Sequence, residues 1–215
     1  MKILILVLSH NDNGGIYSEF YKTQKETWDS VDIDDVQTFF YFGNSEQNII
    51  IGNEIHTNTP EGLVNCGYKT IEVFKLINEV DFDFIFRTNS SSYVDKQLLK
   101  SYLETKPKEN YYSGIIGNHN GIPFCSGSGF ILTKDLVKLL IDNENILDYT
   151  FIDDVCFGKF LSSKGIQLIP SKRFDIINDD YPPIDYFHYR LKTENRINDI
   201  ENMKKIHKNK TLITF

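Results

Sequence analysis

The sequence predicts one α/β domain built on a mixed, mostly parallel sheet flanked by helices. Three observations carry that expectation. First, Ile3 to Ser9 is a near-continuous aliphatic run, the pattern of a strand buried on both faces of a parallel sheet. Second, two further apolar runs, Val36 to Phe42 and Phe84 to Thr88, alternate with stretches of helical periodicity. Third, 215 residues with 40% hydrophobic content suffice for one sizeable core.

Taken in order, the first run ends at a polar tip, Ser9-His10-Asn11-Asp12-Asn13-Gly14-Gly15. Tyr17 to Trp28 is predicted helical, and VQTFFYF is the second strand, stopping at Gly43-Asn44. Ile49 to Ile51 is a small strand or turn. From Glu61 to Val80 a helix is supported by Val73, Leu76, Ile77 and Val80 at i, i+3, i+4, i+7 spacing. The stretch FDFIFRTNSSSYVD, Phe82 to Asp95, is the centre of the pattern: an aromatic strand that stops at Thr88-Asn89-Ser90-Ser91-Ser92. Ligands gather beyond the carboxyl ends of strands in open α/β sheets, so a polar tip there suggests a site. The alternative is a capped turn using Ser and Asn for local hydrogen bonds. A helix near Lys96 to Glu104 follows, then strands at Tyr111 to Gly117 and Gly129 to Leu132 with Gly-rich turns between them. Thr133 is read as the cap of a helix bearing Leu136, Leu139 and Leu140. Phe151 to Leu161 is predicted helical, Ile166 to Ile169 a strand, and Asn195 to His207 a final amphipathic helix. No linker divides the chain, so residues 1–94 are read as a nucleotide-binding half and 95–215 as an acceptor half with the terminal helix.

A net charge of −7 argues against a nucleic-acid partner, which needs a basic face. Cys66, Cys125 and Cys156 lie far apart with no CxxC pair, which argues against a disulfide framework or zinc knuckle and suits a reducing compartment. The first apolar run is far shorter than the ~20 residues that span a bilayer and lacks a cleavage site. The expectation is a cytoplasmic protein with no membrane span.

Four stretches carry candidate chemistry. Arg87 to Ser92 forms the central strand tip. Phe124-Cys125-Ser126-Gly127-Ser128-Gly129 offers glycines that admit close backbone approach and N–H donors, or else a tight turn. Phe151-Ile152-Asp153-Asp154-Val155-Cys156 opens a helix with two carboxylates; the helix dipole explains one of them more easily than two. A carboxylate held there is a suitable general base. Phe187-His188-Tyr189-Arg190-Leu191-Lys192 sets three basic side chains on one side of an extended segment, suited to a phosphate or diphosphate. Its alternative is a solvated basic edge strand.

In this order the pieces resemble the GT-A-fold (Rossmann-related) glycosyltransferases of the β-1,3-galactosyltransferase and Fringe group. Lys22-Thr23-Gln24-Lys25-Glu26-Thr27-Trp28 is similar to that family's Arg-rich helix ending in Glu-Thr-Trp. EGLVNCGYKTI, Glu61 to Ile71, resembles its Tyr-x-Asn-Leu-Thr-x-Lys-Thr segment and puts Lys69 at the lysine. PFCSGSGFILTKDLV resembles its Tyr-Cys-Ser-Gly-Gly-Gly-Tyr-x-Leu-Ser pattern, and IDDVCFG its Glu-Asp-Val-x-x-Gly motif. The resemblance spans roughly residues 1 to 170 and is most specific in the CSGSG-to-DDV order. It departs at the strand tip. Where the family has Lys-Thr-Asp-Asp-Asp-Val-Phe-Val, this chain has Arg87-Thr88-Asn89-Ser90-Ser91-Ser92-Tyr93-Val94. All three aspartates of the metal-binding motif are gone, and a hard cation needs anionic oxygens. Similar tips occur in small stand-alone bacterial and viral members of the superfamily.

The resemblance implies an inverting transfer from a nucleotide-diphosphate sugar to a glycan or small hydroxyl acceptor. Asp154 would be the base, with Asp153 orienting it or acting in its stead. Ser9, Lys69, Arg87, Thr88, Asn89, Ser90 and Ser91 would bind the donor, together with His188, Arg190 and Lys192. By the same resemblance His188 would be a remnant of the late metal-site histidine of many GT-A enzymes. Cys125, Ser126, Gly127 and Ser128 would face sugar and acceptor. No metal site or cofactor is expected; manganese stays open but unsupported, and basic side chains are expected in its place. The alternatives are a GT-A-shaped binding module without activity and, more distantly, a nucleotidyltransferase.

Overall fold

The computed structural model describes residues 1–177 and 182–213. The first strand, β1 (Ile3–Leu8), is followed by α1 (Ile16–Glu26), whose end runs into a 3-10 turn at Trp28–Ser30. Next come β2 (Val36–Phe42), β3 (Ile49–Ile51), β4 (Glu54–His56) and α2 (Cys66–Ile77). The centre of the chain holds β5 (Phe84–Asn89), β6 (Ser92–Val94), α3 (Lys96–Leu103), β7 (Tyr112–His119) and β8 (Ile122–Thr133). Then α4 (Lys134–Asp142), α5 (Asp153–Ser163), β9 (Leu168–Pro170), β10 (Phe174–Ile176), β11 (His188–Leu191) and α6 (Arg196–Ile213) complete it.

Eight strands form the main sheet in the order β3-β4-β2-β1-β5-β8-β7-β9. β1 sits between β2 and β5, parallel to both. Its ILILVL run splits by strand alternation: Ile3, Ile5 and Val7 enter one core, while Leu4 and Leu6 enter the other. β5 does the same, with Phe84 and Phe86 on one face and Ile85 on the other. Each such side chain, taken fully out of water, contributes about 1.5–3 kcal/mol before ordering costs. Two-sided burial is why these strands read as unbroken apolar runs.

A smaller sheet, β10-β11-β6, lies beside the main one. β11 pairs antiparallel with β6 and parallel with β10, which sets Ser92, Arg190 and Asp175 side by side. These strands have three or four residues each, too short for periodicity to reveal, and β4, β6 and β10 have no counterpart in the sequence reading.

Two expectations are corrected here. CSGSG is not a turn; it runs inside the 12-residue strand β8. The turn lies earlier, at Asn120-Gly121, where φ values of 50° and 86° make a two-residue hairpin between β7 and β8. Thr133 makes no side-chain cap on α4; its hydroxyl accepts from the Tyr111 N–H at 3.1 Å instead. Among the described residues no helix is long and apolar enough to cross a membrane.

Candidate active site

The carboxyl ends of β1 and β5 and the start of α2 enclose a cleft of about 380 Å³. Ser9, Lys69, Asn89, Ser90 and Ser91 all line it, with His10, Tyr17, Glu61 and Arg196. The tip of β5 is both turn and cleft wall. Asn89 accepts from the Ser91 N–H at 3.1 Å through its side-chain oxygen, and the Ser90 hydroxyl donates to the Leu8 carbonyl at 3.2 Å. Gln24 of α1, buried, donates to the Asn89 and Ser92 carbonyls at 3.2 and 3.0 Å and so anchors the tip from below. Lys69 is not a free cation. Its ammonium donates to Glu61 at 2.6 Å and to the Ser9 carbonyl at 3.2 Å. Burial alone would raise the proton affinity of Glu61, but Lys69 and the Gly43 N–H overcome it and hold the carboxylate ionised below its usual range.

Behind the cleft, at the start of α5, stands the carboxylate pair. Thr70, one residue past Lys69, donates to Asp153 at 3.2 Å, so α2 joins cleft and pair. Asp153 is ion-paired with Arg87, whose guanidinium also donates to the Tyr41 hydroxyl at 3.1 Å and to the Gly127 carbonyl. Arg87 is 2% exposed and lies over the Phe130 ring. Burial opposes its charge, yet the Asp153 carboxylate beside it wins and raises its pKa. Its donors are thus taken by the protein's own groups. Asp153 is likewise committed to Arg87, whereas its neighbour has no ion pair among the described residues.

Asp154 is held by backbone groups: Gly127 donates to one oxygen at 2.7 Å and Val155 to the other at 2.8 Å. Burial raises its pKa, the Asp153 charge adds to that, and the Gly127 N–H and Arg87 offset part of it. A carboxylate with raised proton affinity is a better proton acceptor near neutral pH than an ordinary one. A Cβ at position 127 would stand 2.9 Å from the Asp154 carboxylate and oblige it to shift. The glycines of CSGSG thus admit the protein's own side chains, since a Cβ at Gly129 would collide with the His188 ring.

The small sheet covers the other side of β8. His188 is buried, bonded to the Ser92 hydroxyl at 3.1 Å and edge-on to Phe86. Burial, reinforced by the charges of Arg173 and Arg190, pushes its pKa well below the usual histidine value, so it is neutral and not one of three basic groups. Lys192 lies past the end of β11 and is exposed. Arg190 remains, half-buried, and among the described residues it has neither an ion pair nor a hydrogen bond from its side chain. Thr88 is buried and ties β5 to the Ser128 carbonyl at 2.7 Å, away from the cleft. Cys125 is a core residue, 0% exposed, with its thiol pushed by burial to about 12. Ser126 and Gly127 are partly exposed, and Ser126 bonds Ser128 at 3.0 Å.

Three contributors escaped the sequence reading. Glu61 reads from the sequence only as a helix start. Arg196 is hidden in a tail whose clear signal is its apolar spacing; it donates to the Ser91 hydroxyl at 2.6 Å and to Asp199 at 2.6 Å. Arg173 lay in an unassigned segment, where an Arg-x-Asp alternation was the available signal; it bonds Ser126, Ser128 and Asp175.

The residues at the β5 tip do not fit a hard divalent cation. Asn89, Ser90 and Ser91 bring no anionic oxygen, and the nearby histidine is held by Ser92. No group of three or more His, Cys, Asp or Glu side chains converges among the described residues.

No known family profile matches the chain, and no curated protein matches it. Solved structures do. The 4-diphosphocytidyl-2C-methyl-D-erythritol synthase of Anaerococcus prevotii DSM 20548 superposes with a TM-score of 0.56 at 7% identity, covering 95% of this chain and 96% of its own. The inositol-1-phosphate CTP transferase of T. maritima gives 0.54 at 11% identity, with 96% of each chain covered. The glycosyltransferase GlyE of Streptococcus pneumoniae TIGR4 gives 0.47 at 10% identity over 80% of this chain and 45% of its own. What the first two share with this chain at such identities is the fold. It is the Rossmann-related α/β fold common to GT-A enzymes and nucleotidyltransferases.

Proposed function

We propose that this chain is a glycosyltransferase that moves a sugar from a nucleotide-diphosphate sugar to a hydroxyl acceptor with inversion. The observation that carries the reading is Asp154: a buried carboxylate of raised proton affinity, aimed by the Gly127 N–H at 2.7 Å. It is joined to the cleft at the ends of β1 and β5 through Asp153, Thr70 and Lys69. The nucleotide occupies that cleft, held by Ser9, Asn89, Ser90 and Ser91. The acceptor oxygen attacks the anomeric carbon as the bond from that carbon to the phosphate oxygen breaks. Its proton passes to Asp154, and the electron pair leaves with the nucleoside diphosphate. Asp153 keeps Arg87 neutralised beneath the base. The resemblance to the β-1,3-galactosyltransferase and Fringe group supports this reading, and the three buried free thiols suit the reducing cytoplasm proposed for it.

A second reading, nucleotidyl transfer, is favoured by the two full-length fold relatives, both named for cytidylyl chemistry. There a sugar or polyol phosphate attacks the α-phosphorus of a nucleoside triphosphate and releases pyrophosphate. Such a nucleophile is largely ionised at pH 7 and needs no base, because the second phosphate ionisation lies near pH ~6. Asp154 would then have no proton to accept. This is why sugar transfer is preferred.

Incubation with nucleotide-sugar and nucleoside-triphosphate panels, read by mass spectrometry, separates the two. Release of nucleoside diphosphate with a glycosylated acceptor is the expected result; pyrophosphate release would favour the second. Asp154→Asn should lower turnover by about 10²–10⁴-fold while nucleotide affinity stays within about twofold. A variant that turns over near the wild-type rate would reject Asp154 as the base.

A further inference from the structure

Charge in the seam between β8 and the small sheet is unevenly matched. Arg173 is met by Asp175, with bonds to Asp175 at 2.5 and 3.0 Å and to the hydroxyls of Ser126 and Ser128. Arg196 is met by the buried Asp199 at 2.6 Å, while its other nitrogen reaches Ser91 on the lip of the cleft. Arg190 stands between them. It is flanked across the strands by Ser92 and Asp175, and its charge is answered by no ion pair among the described residues. Burial, then the repulsion of Arg173, lowers its pKa, with Arg196 adding to the repulsion and both Asp175 and Asp154 close enough to oppose it.

We propose that Arg190, with Arg196 and Arg173 on either side, clamps the donor diphosphate in place of a metal ion. The inference rests on the transfer reading above for the identity of the ligand. Position argues for the diphosphate rather than an anionic acceptor. Arg196 lines the cleft that takes the nucleoside, and Arg173 bonds Ser126 and Ser128, on either side of the Gly127 whose N–H holds Asp154. The diphosphate must lie between nucleoside and anomeric carbon, which is the interval these arginines span. A guanidinium fork matches two phosphate oxygens at once, and it stabilises the charge that develops as the glycosidic bond breaks. The β5 tip carries no anionic oxygen to hold a cation, so the positive charge that the leaving group needs comes from Arg190. Arg87 and Lys69, both ion-paired with the protein's own carboxylates, cannot supply it.

The test measures binding of UDP, GDP, CDP and ADP, each against its own nucleoside, in excess EDTA. In the wild type at least one diphosphate should bind more tightly than its nucleoside. Arg190→Ala should cost that diphosphate about 10- to 100-fold while leaving the nucleoside unchanged, and Arg190→Lys should recover part of the loss. A diphosphate affinity indifferent to Arg190→Ala, or one that appears only on adding Mn²⁺, overturns the clamp. The outcomes for the parent reading are separate. Diphosphate binding through Arg190 without sugar transfer keeps the clamp and removes the transferase assignment. Transfer that needs Asp154 but tolerates Arg190→Ala keeps the transferase and removes the clamp.

Discussion

Arg87 and Arg190 lie on neighbouring strands systems around β8, and both looked from the sequence like cations for a diphosphate. Their surroundings differ completely. Arg87 sits on β5 in the middle of the main sheet, with Asp153, Tyr41 and Gly127 taking its donors. Arg190 sits on the four-residue middle strand of the small sheet, half-buried and without an ion pair among the described residues. A charge inside a sheet must carry its partner with it, because desolvation costs several kcal/mol per ion. A half-buried charge can wait for one. The difference separates a cation that builds the site from one that is available to a ligand.

The largest effect that would break the comparison is on stability. Arg87→Ala strands the buried Asp153 charge and should destabilise the fold by about 3–5 kcal/mol, whereas Arg190→Ala should stay within about 0.5 kcal/mol. Chemical denaturation of the two variants reads this directly. Equal losses would remove the distinction between builder and clamp.

A smaller effect tests how the seam is packed. Gly129→Ala drives a methyl group into the neutral His188 ring and should cost about 1–3 kcal/mol, with diphosphate binding weakened because β11 must move. A variant as stable as wild type would show that the ring is not seated against β8.

The smallest is a pH effect. His188 is held well below its usual pKa by burial. Below pH ~6.5 the unfolded chain takes up a proton that the folded chain refuses. The unfolded state then binds more protons, so stability rises with pH and is lost on acidification from about pH 6.5 downward, at up to ~1.4 kcal/mol per pH unit. His207, also lowered by burial, contributes with the same sign. His188→Gln should flatten the slope between pH 7 and 5; an unchanged slope would assign the acid sensitivity elsewhere. Arg87, ionised throughout, should contribute none of it.

The β5 tip illustrates what could be read in advance and what could not. Ile3 to Leu8, Val36 to Phe42 and Phe84 to Asn89 were legible because two-sided burial forces an unbroken apolar run, a signal local to each strand. Asn89, Ser90 and Ser91 were legible as a cleft wall because polar tips follow from the ends of such strands. The paired Asp153-Asp154 at a helix start was equally visible. Charge pairing was not. Lys69 with Glu61 is eight residues apart and Arg87 with Asp153 sixty-six, and no local pattern says which cation is consumed by which anion. Cys125 and Thr88 looked like site residues by motif, yet register turned them into the core and a cross-strand tie.

Sequence alone determined that this chain folds as a doubly covered α/β sheet with its polar tips gathered at one edge, since hydrophobic burial acts along short stretches. Only the tertiary structure decided the electrostatics. Whether an ionisable group is a strut, a base or a clamp depends on burial and on partners brought from distant segments. By that measure Arg87 is a strut, while Arg190, half-buried and without an ion pair among the described residues, is the cation proposed as the clamp.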